Sequence, residues 1–253
     1  MKFDDLDEKM RVFETAHDLC VLPEVFIVAR LDGRGFTRLT KEVHDFEAPF
    51  DVRFRDLMLH TVEHLMQCGV QVTYGYTQSD EISLLFARDE TSFGRKERKL
   101  NSVLAGEASA AFSLKLGGHA CFDSRLCQLP TRELVRDYFR WRSEDAHRNA
   151  LNAHCYWLQR KQGLDAAKAT ARIKGMSVAD KNELLFQAGI NFNDLPSWQR
   201  RGMGVRWTTF LKEAVNPKTG EAVTAERRKL QVDLELPMRD EYDAYVLKLV
   251  DGE

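Results

Sequence analysis

The first strong pattern in the chain is a nearly unbroken apolar run, VFIVARL at 25–31. Consecutive large and β-branched residues suit a strand buried on both faces. Ahead of it, residues 5–20 repeat apolar positions at helical spacing, with Met10, Phe13 and Leu19 among them, and Pro23 closes the segment. Residues 50–67 carry an apolar stripe of Phe54, Leu57, Met58, Val62, Leu65 and Met66, and Gly69 stops it, so a helix is expected there. VQVTYGYT (70–77) and EISLLFA (81–87) read as two strands joined by the polar turn Gln78-Ser79-Asp80. A helix is expected over 95–116, before Gly117-Gly118, and a fourth strand over 119–130.

The order βαββαβ is the split, ferredoxin-like unit: an antiparallel sheet with helices on one face. The expected fold class is therefore α+β, with a palm-like or ferredoxin-like core over residues 1–130 whose second sheet face stays open. Residues 131–253 are expected to form a helical extension, running from Pro130-Thr131 to about 190, and then a β-hairpin. NPKTG (216–220) supplies the hairpin's turn chemistry. The two parts are expected to pack as one compact unit. There is no internal repeat.

Two of these strands end in acids. The first reaches Asp32-Gly33, and the central hairpin turns at Asp80-Glu81. Taken singly, each is an ordinary turn sequence. In the βαββαβ order the first strand lies beside the hairpin, so Asp32 and Asp80 can approach each other. Two neighbouring carboxylates repel unless cations lie between them. Hard oxygen ligands with positions left for phosphate suit Mg²⁺. Two such ions could activate an attacking oxygen and neutralise a leaving pyrophosphate. Gly33, lacking a β-carbon, would let the backbone come close to a metal or phosphate.

Composition narrows the picture only a little. The 253 residues are 43% hydrophobic with a net charge of −2, so any polyanion site must be a local patch. The acidic N-terminus is no signal peptide, and no stretch approaches the roughly 18 uninterrupted apolar residues of a membrane span. Five cysteines without paired spacing argue against a disulfide framework and a structural zinc site. Neutral or buried thiols in a reducing cytoplasm are expected. The four tryptophans show no RNA-stacking pattern, and core packing is expected for most of them.

Five ordered motifs, RLDGRGF (30–36), YTQSDEISLLF (76–86), FDSR (122–125), LVRDYFRWRSEDAHRNALN (134–152) and ADKNELLFQAGINFNDLP (179–196), resemble the tRNA-histidine guanylyltransferase family. The resemblance spans roughly residues 5 to 205 and includes the bacterial and archaeal guanylyltransferase-like 3′–5′ polymerases. It implies a two-Mg²⁺ palm site that extends the 5′ end of tRNA. ATP or GTP activates a 5′-monophosphate, and the 3′-hydroxyl of an incoming nucleotide attacks it. By motif, Asp32, the Gly33 carbonyl and Asp80 would hold the metals, and Glu81 would support the catalytic carboxylates. Arg30, Gly33, Arg34 and Ser79 would meet nucleotide phosphates, as would Arg95, Lys96 and Lys99 at the start of the helix after the hairpin. His147, Asn149, Lys181 and Asn191 would handle the RNA 5′ end or a nucleotide. The family also implies a homotetramer.

Two departures are informative. HRNALNA (147–153) replaces the eukaryotic His-Ile-Asn-Asn-Leu-Tyr-Asn pattern, which favours the guanylyltransferase-like subgroup and 5′-truncated tRNAs. Ala48 stands where the eukaryotic pattern has a lysine before proline, so one phosphate contact is missing or supplied elsewhere. The alternatives are a nucleotidyl cyclase on a related palm and a catalytically silent RNA-binding protein. No GGDEF-type signature favours the cyclase, and the intact acids oppose the silent binder.

Overall fold

The computed structural model describes residues 1–215 and 222–252. Helix α1 (Phe3–Thr15) leads to strand β1 (Phe26–Gly33). A short helical turn, α2 (Phe36–Arg38), widens into a π-helical turn over Leu39–Val43, and α3 (Val52–Leu65) follows. Strands β2 (Val72–Gln78) and β3 (Glu81–Phe86) form the hairpin, then come α4 (Glu97–Leu116) and β4 (Phe122–Leu129). The remainder is α5 (Arg132–Lys161), α6 (Ala166–Ile173), α7 (Val178–Gln187), α8 (Ser197–Arg201), β5 (Met203–Val215), β6 (Ala222–Asp233) and α9 (Arg239–Asp251). The NPKTG turn lies outside the described residues.

The sheet runs β4-β1-β3-β2-β5-β6, with every neighbouring pair antiparallel. Its first four strands have the expected ferredoxin-like order, and the β5–β6 hairpin extends it past β2. Alternation along β1 sorts the two faces. Ile27, Ala29 and Leu31 join the core beneath α3 and α4, while Phe26 and Val28 face the other way.

The second face is not open. Val135, Tyr138 and Phe139 of α5 and Tyr242 and Val246 of α9 bury against Phe26, Val28, Tyr74, Tyr76 and Leu85. Both faces of these strands are apolar, so a second layer of helices removes the remaining apolar area from water. Helix α5, at 30 residues, is about 45 Å long and reaches well beyond the sheet. Its far half carries a third apolar cluster with α7 and Phe192. Helix α9 lies in a segment for which no helix is expected above, although Tyr242 and Val246 have i, i+4 spacing.

The close seat of α3 on the sheet depends on Gly75. A β-carbon there would stand 2.4 Å from Val62 Cγ1. Gly75→Ala should therefore destabilise the fold by about 1–3 kcal/mol through overpacking. Urea denaturation should show a lower midpoint with an unchanged m-value.

Candidate active site

β1 and the β2–β3 turn end side by side. Asp32 is the cross-strand partner of Glu81 on one side and of Asp123 in β4 on the other. The Gly33 N–H donates to the Asp80 carbonyl at 3.0 Å, joining the end of β1 to the hairpin turn. Ser79 takes a left-handed φ of 50° to close that turn, and its hydroxyl donates to Asp80 Oδ1 at 3.0 Å.

The carboxylates differ in their partners. Glu81 is saturated: one oxygen accepts from Arg30, the other from the buried guanidinium of Arg142 on α5. Arg142 also reaches Asp145 at 3.2 Å, and Asp145 accepts from Asn149 at 3.1 Å and pairs with Arg148. Asp32 and Asp80 have no ion pair among the described residues. Burial, and after it the charge of Glu81, raises the Asp32 carboxyl above its ordinary pKa. Burial raises Asp80 too, with a smaller push from Asp32, against the pull of its hydrogen bonds. These two groups have no cationic partner among the described residues, whereas Glu81 has two.

Among the described residues no set of three or more His, Cys, Asp or Glu side chains forms a ready metal cage. Two carboxylates with the nearby backbone carbonyls are a sparse donor set. That suits Mg²⁺, which keeps water ligands and shares the rest with substrate phosphates. Asp32, the Gly33 carbonyl and Asp80 thus fit the group expected of them, and Glu81 fits a supporting role. Gly33 has a further reason to be glycine: a β-carbon would stand 2.5 Å from the ring of Phe36, the anchor of α2 in the core.

Next to the turn lies a cavity of about 260 Å³, lined by Ser79, Asp80, Lys41, Arg55, Trp157 and Trp198 among others. Of the four tryptophans, Trp198 and Trp207 pack, partly buried, against the core beneath α3 and α4, while Trp141 is 53% exposed. Trp157 and Trp198 also wall the cavity. Their role needed a long-range contact between α5, α8 and the hairpin turn that local sequence does not display.

The other expected residues divide. Arg30 sits in the site, but its guanidinium pairs with Glu81. Arg34 is exposed just past Gly33, its N–H bonded to the Cys121 carbonyl at 2.8 Å. The basic run at the start of α4 is not beside the carboxylates. Glu97 there meets Gln128, which pairs with Ile27, toward the opposite end of β1 from Asp32. Arg95 is buried and donates to the carbonyls of Val21, Leu22, Val25 and Glu90, a structural clamp on the segment entering β1. Lys96 pairs with Asp18 at 2.6 Å, and Lys99 is exposed. Within the chain these three are therefore separated from Asp32 and Asp80.

On the helical side, Asn149 joins the Glu81 network through Asp145. The His147 ring packs edge-on against Phe192, centroids 5.2 Å apart. Burial, with Arg200 and Arg201 nearby, lowers its pKa and favours the neutral ring. Asn191 caps the short turn after α7, accepting from the Asn193 N–H at 3.2 Å and donating to Asp194 at 2.8 Å. Lys181 is half-buried on α7, where its carbonyl faces Cys155. The thiols are free, and Cys20 and Cys121 are exposed rather than buried. No helix of the described residues is long and apolar enough to cross a membrane.

Comparison with known proteins gives the same picture over nearly the whole chain. The model of the tRNAHis guanylyltransferase family, Thg1, matches residues 7–130, and that of the Thg1 C-terminal domain matches residues 133–242. A probable tRNA(His) guanylyltransferase of Drosophila melanogaster is 36% identical over 205 residues, covering 77% of this chain and 71% of the relative. The tRNA(His) guanylyltransferase of Schizosaccharomyces pombe is 34% identical over 192 residues, covering 72% and 73%. Among solved structures, a bacterial guanylyltransferase-like protein in complex with ATP superposes with a TM-score of 0.75 at 26% identity, covering 97% of this chain and 99% of the other. The Saccharomyces cerevisiae enzyme gives 0.70 at 26% identity, covering 77% and 91%. The chain belongs to the tRNA-histidine guanylyltransferase family of nucleotidyltransferases.

Proposed function

We propose that this enzyme adds nucleotides in the 3′–5′ direction to the 5′ end of tRNA, directed by the opposite strand and dependent on Mg²⁺. The observation that carries the reading is the pair of unneutralised carboxylates, Asp32 and Asp80, beside an aromatic cavity that shares Ser79 and Asp80 with them. The cavity is close to the lower end of the range for small-ligand pockets, about 300 Å³. Solved relatives in complex with ATP and with GTP support a nucleotide as its occupant.

Asp32, the Gly33 carbonyl and Asp80 would hold Mg²⁺, which would supply charge neutralisation for phosphates and ease ionisation of an attacking hydroxyl. The chain's own residues do the rest. The Gly33–Asp80 hydrogen bond fixes the two acidic turns relative to each other. The Arg30–Glu81–Arg142 network holds the hairpin against α5, so that the nucleotide and the RNA end meet at a rigid edge. In the first step an oxygen of the RNA 5′-monophosphate attacks the α-phosphorus of ATP or GTP, and pyrophosphate leaves. In the second, the 3′-hydroxyl of the incoming nucleotide displaces the activating group. His147, Asn149, Lys181 and Asn191 belong to the RNA side of this reading. The broken HRNALNA pattern supports a guanylyltransferase-like enzyme acting on 5′-truncated tRNA rather than one confined to the histidine tRNA. A homotetramer is part of the same reading. The family match over residues 7–242 supports neither the cyclase nor the silent binder.

The test is a tRNA lacking its first nucleotide and bearing a labelled 5′-monophosphate, incubated with the enzyme, Mg²⁺, ATP and each nucleotide in turn. Only the nucleotide complementary to the opposite strand should be added, and chelation of Mg²⁺ should stop the addition. Extension that ignores the opposite strand would overturn the template-directed reading.

Asp80→Asn should lower the extension rate at least about a hundredfold, the scale of losing a principal charge-stabilising contact. Without divalent ions the same change relieves a desolvated like-charge contact. A gain of about 1 kcal/mol would raise Tm by about 2–4 °C for a chain of this size. The Mg²⁺-dependent rise in Tm seen in the wild type should shrink in the variant. Wild-type turnover in Asp80→Asn would remove the metal assignment.

A further inference from the structure

Two cations line the cavity beside Ser79 and Asp80, and they are held differently. The Arg55 guanidinium pairs with Asp56 at 2.8 Å and lies over the Trp198 ring at 5.2 Å. The Lys41 ammonium lies over the ring faces of Trp157, at 5.2 Å, and Tyr156, at 5.8 Å. It forms no ion pair among the described residues. The neighbouring Glu42 turns instead to Arg38, at 3.5 Å. Position 48, on the same wall, offers only a methyl group.

The backbone accounts for this placement. Lys41 sits at the centre of the π-helical turn Leu39–Val43, which the His44 N–H closes onto the Leu39 carbonyl at 2.9 Å. A π turn inserts an extra residue into the helical repeat and re-aims the side chains that follow, and such turns recur at functional sites. Here the lysine is carried across the cavity mouth to α5. A ring face is a weak partner for an ammonium, whereas a phosphate oxygen is a charge-assisted one. A polyphosphate entering beside Asp80 brings negative charge to a region that already has too much of it. A movable cation on the same wall offsets that charge.

We propose that Lys41 is a positioning residue for the nucleotide. Its ammonium leaves the Trp157 and Tyr156 rings and pairs with a phosphate oxygen of a nucleoside triphosphate bound in the cavity. This rests on the reading of the cavity as a nucleotide site.

The test is calorimetric titration of ATP with Mg²⁺ into the wild type, Lys41→Met and Lys41→Arg, at two salt concentrations. Lys41→Met should weaken ATP about tenfold and reduce the salt dependence of its affinity. Lys41→Arg should stay within about threefold of the wild type, because the charge is kept. The Tm of both variants should match that of the wild type. Unchanged ATP affinity in Lys41→Met would overturn the proposal. So would an equal loss in both variants, which would mark a packing role. A wild type that binds no ATP would sink the nucleotide reading of the cavity first, before the variants are compared, and the proposal with it.

Discussion

The ion pairs that converge on Glu81 hold the functional end of this molecule together. One carboxylate ties the centre of β1, through Arg30, to α5, through Arg142. Arg142 is only 3% exposed at its side chain, so the pairing is well shielded from water and from salt. Removing one partner of such a pair leaves a buried charge uncompensated, at a cost of roughly 3–5 kcal/mol. Glu81 thus has both oxygens already engaged by guanidinium groups. Its immediate neighbours Asp80 and Asp32 are left without any such partner. Of these three adjacent acids, one is tied into the frame by two arginines, and two have no ion pair among the described residues.

That division depends on the second layer of helices. An open sheet face would leave Glu81 in water, where ion pairs contribute about 0–1 kcal/mol. By laying α5 across Phe26, Val28, Tyr74 and Tyr76, the fold brings Arg142 to the end of β3 and lowers the local dielectric around the hairpin. The same burial raises the carboxyls of Asp32 and Asp80 above their ordinary values. The hydrophobic packing behind the site thus sets the environment of its carboxylates, and stability is given up at the site and regained in the two apolar layers.

Much of this was legible in the sequence, for reasons that differ from residue to residue. The first four strands and helices α1, α3 and α4 showed in their apolar periodicity, and the βαββαβ order alone puts Asp32 beside the hairpin. VFIVARL also announced a strand buried on both faces. The expectation of an open face came from analogy with other palms, and the apolar pattern was the better guide. Arg95 shows the limit of reading charge locally. A basic residue at a helix start looks like a phosphate contact, yet this one is consumed by four backbone carbonyls, that of Glu90 and those of Val21, Leu22 and Val25 in the segment before β1. Gly33 was read as room for a metal, while the structure adds the ring of Phe36. The cavity walls at Trp157 and Trp198 could not be read at all, since these residues lie more than forty positions apart in the chain, on different helices.

The near-neutral charge of the chain poses a question that these contacts answer. A protein of net charge −2 has no long-range field to gather a polyanion such as tRNA. Many of its arginines are also already committed, Arg30 and Arg142 to Glu81, Arg95 to carbonyls and Arg140 to Asp243. On the proposed reading, recognition of phosphates would depend on the cations that the fold leaves weakly partnered, as with Lys41 on its aromatic rings, and on metal ions drawn to Asp32 and Asp80. Such a site would bind nucleotide and metal as mutual counter-charges. Each lowers the electrostatic cost of the other, so a low net charge becomes compatible with chemistry on a strongly anionic substrate.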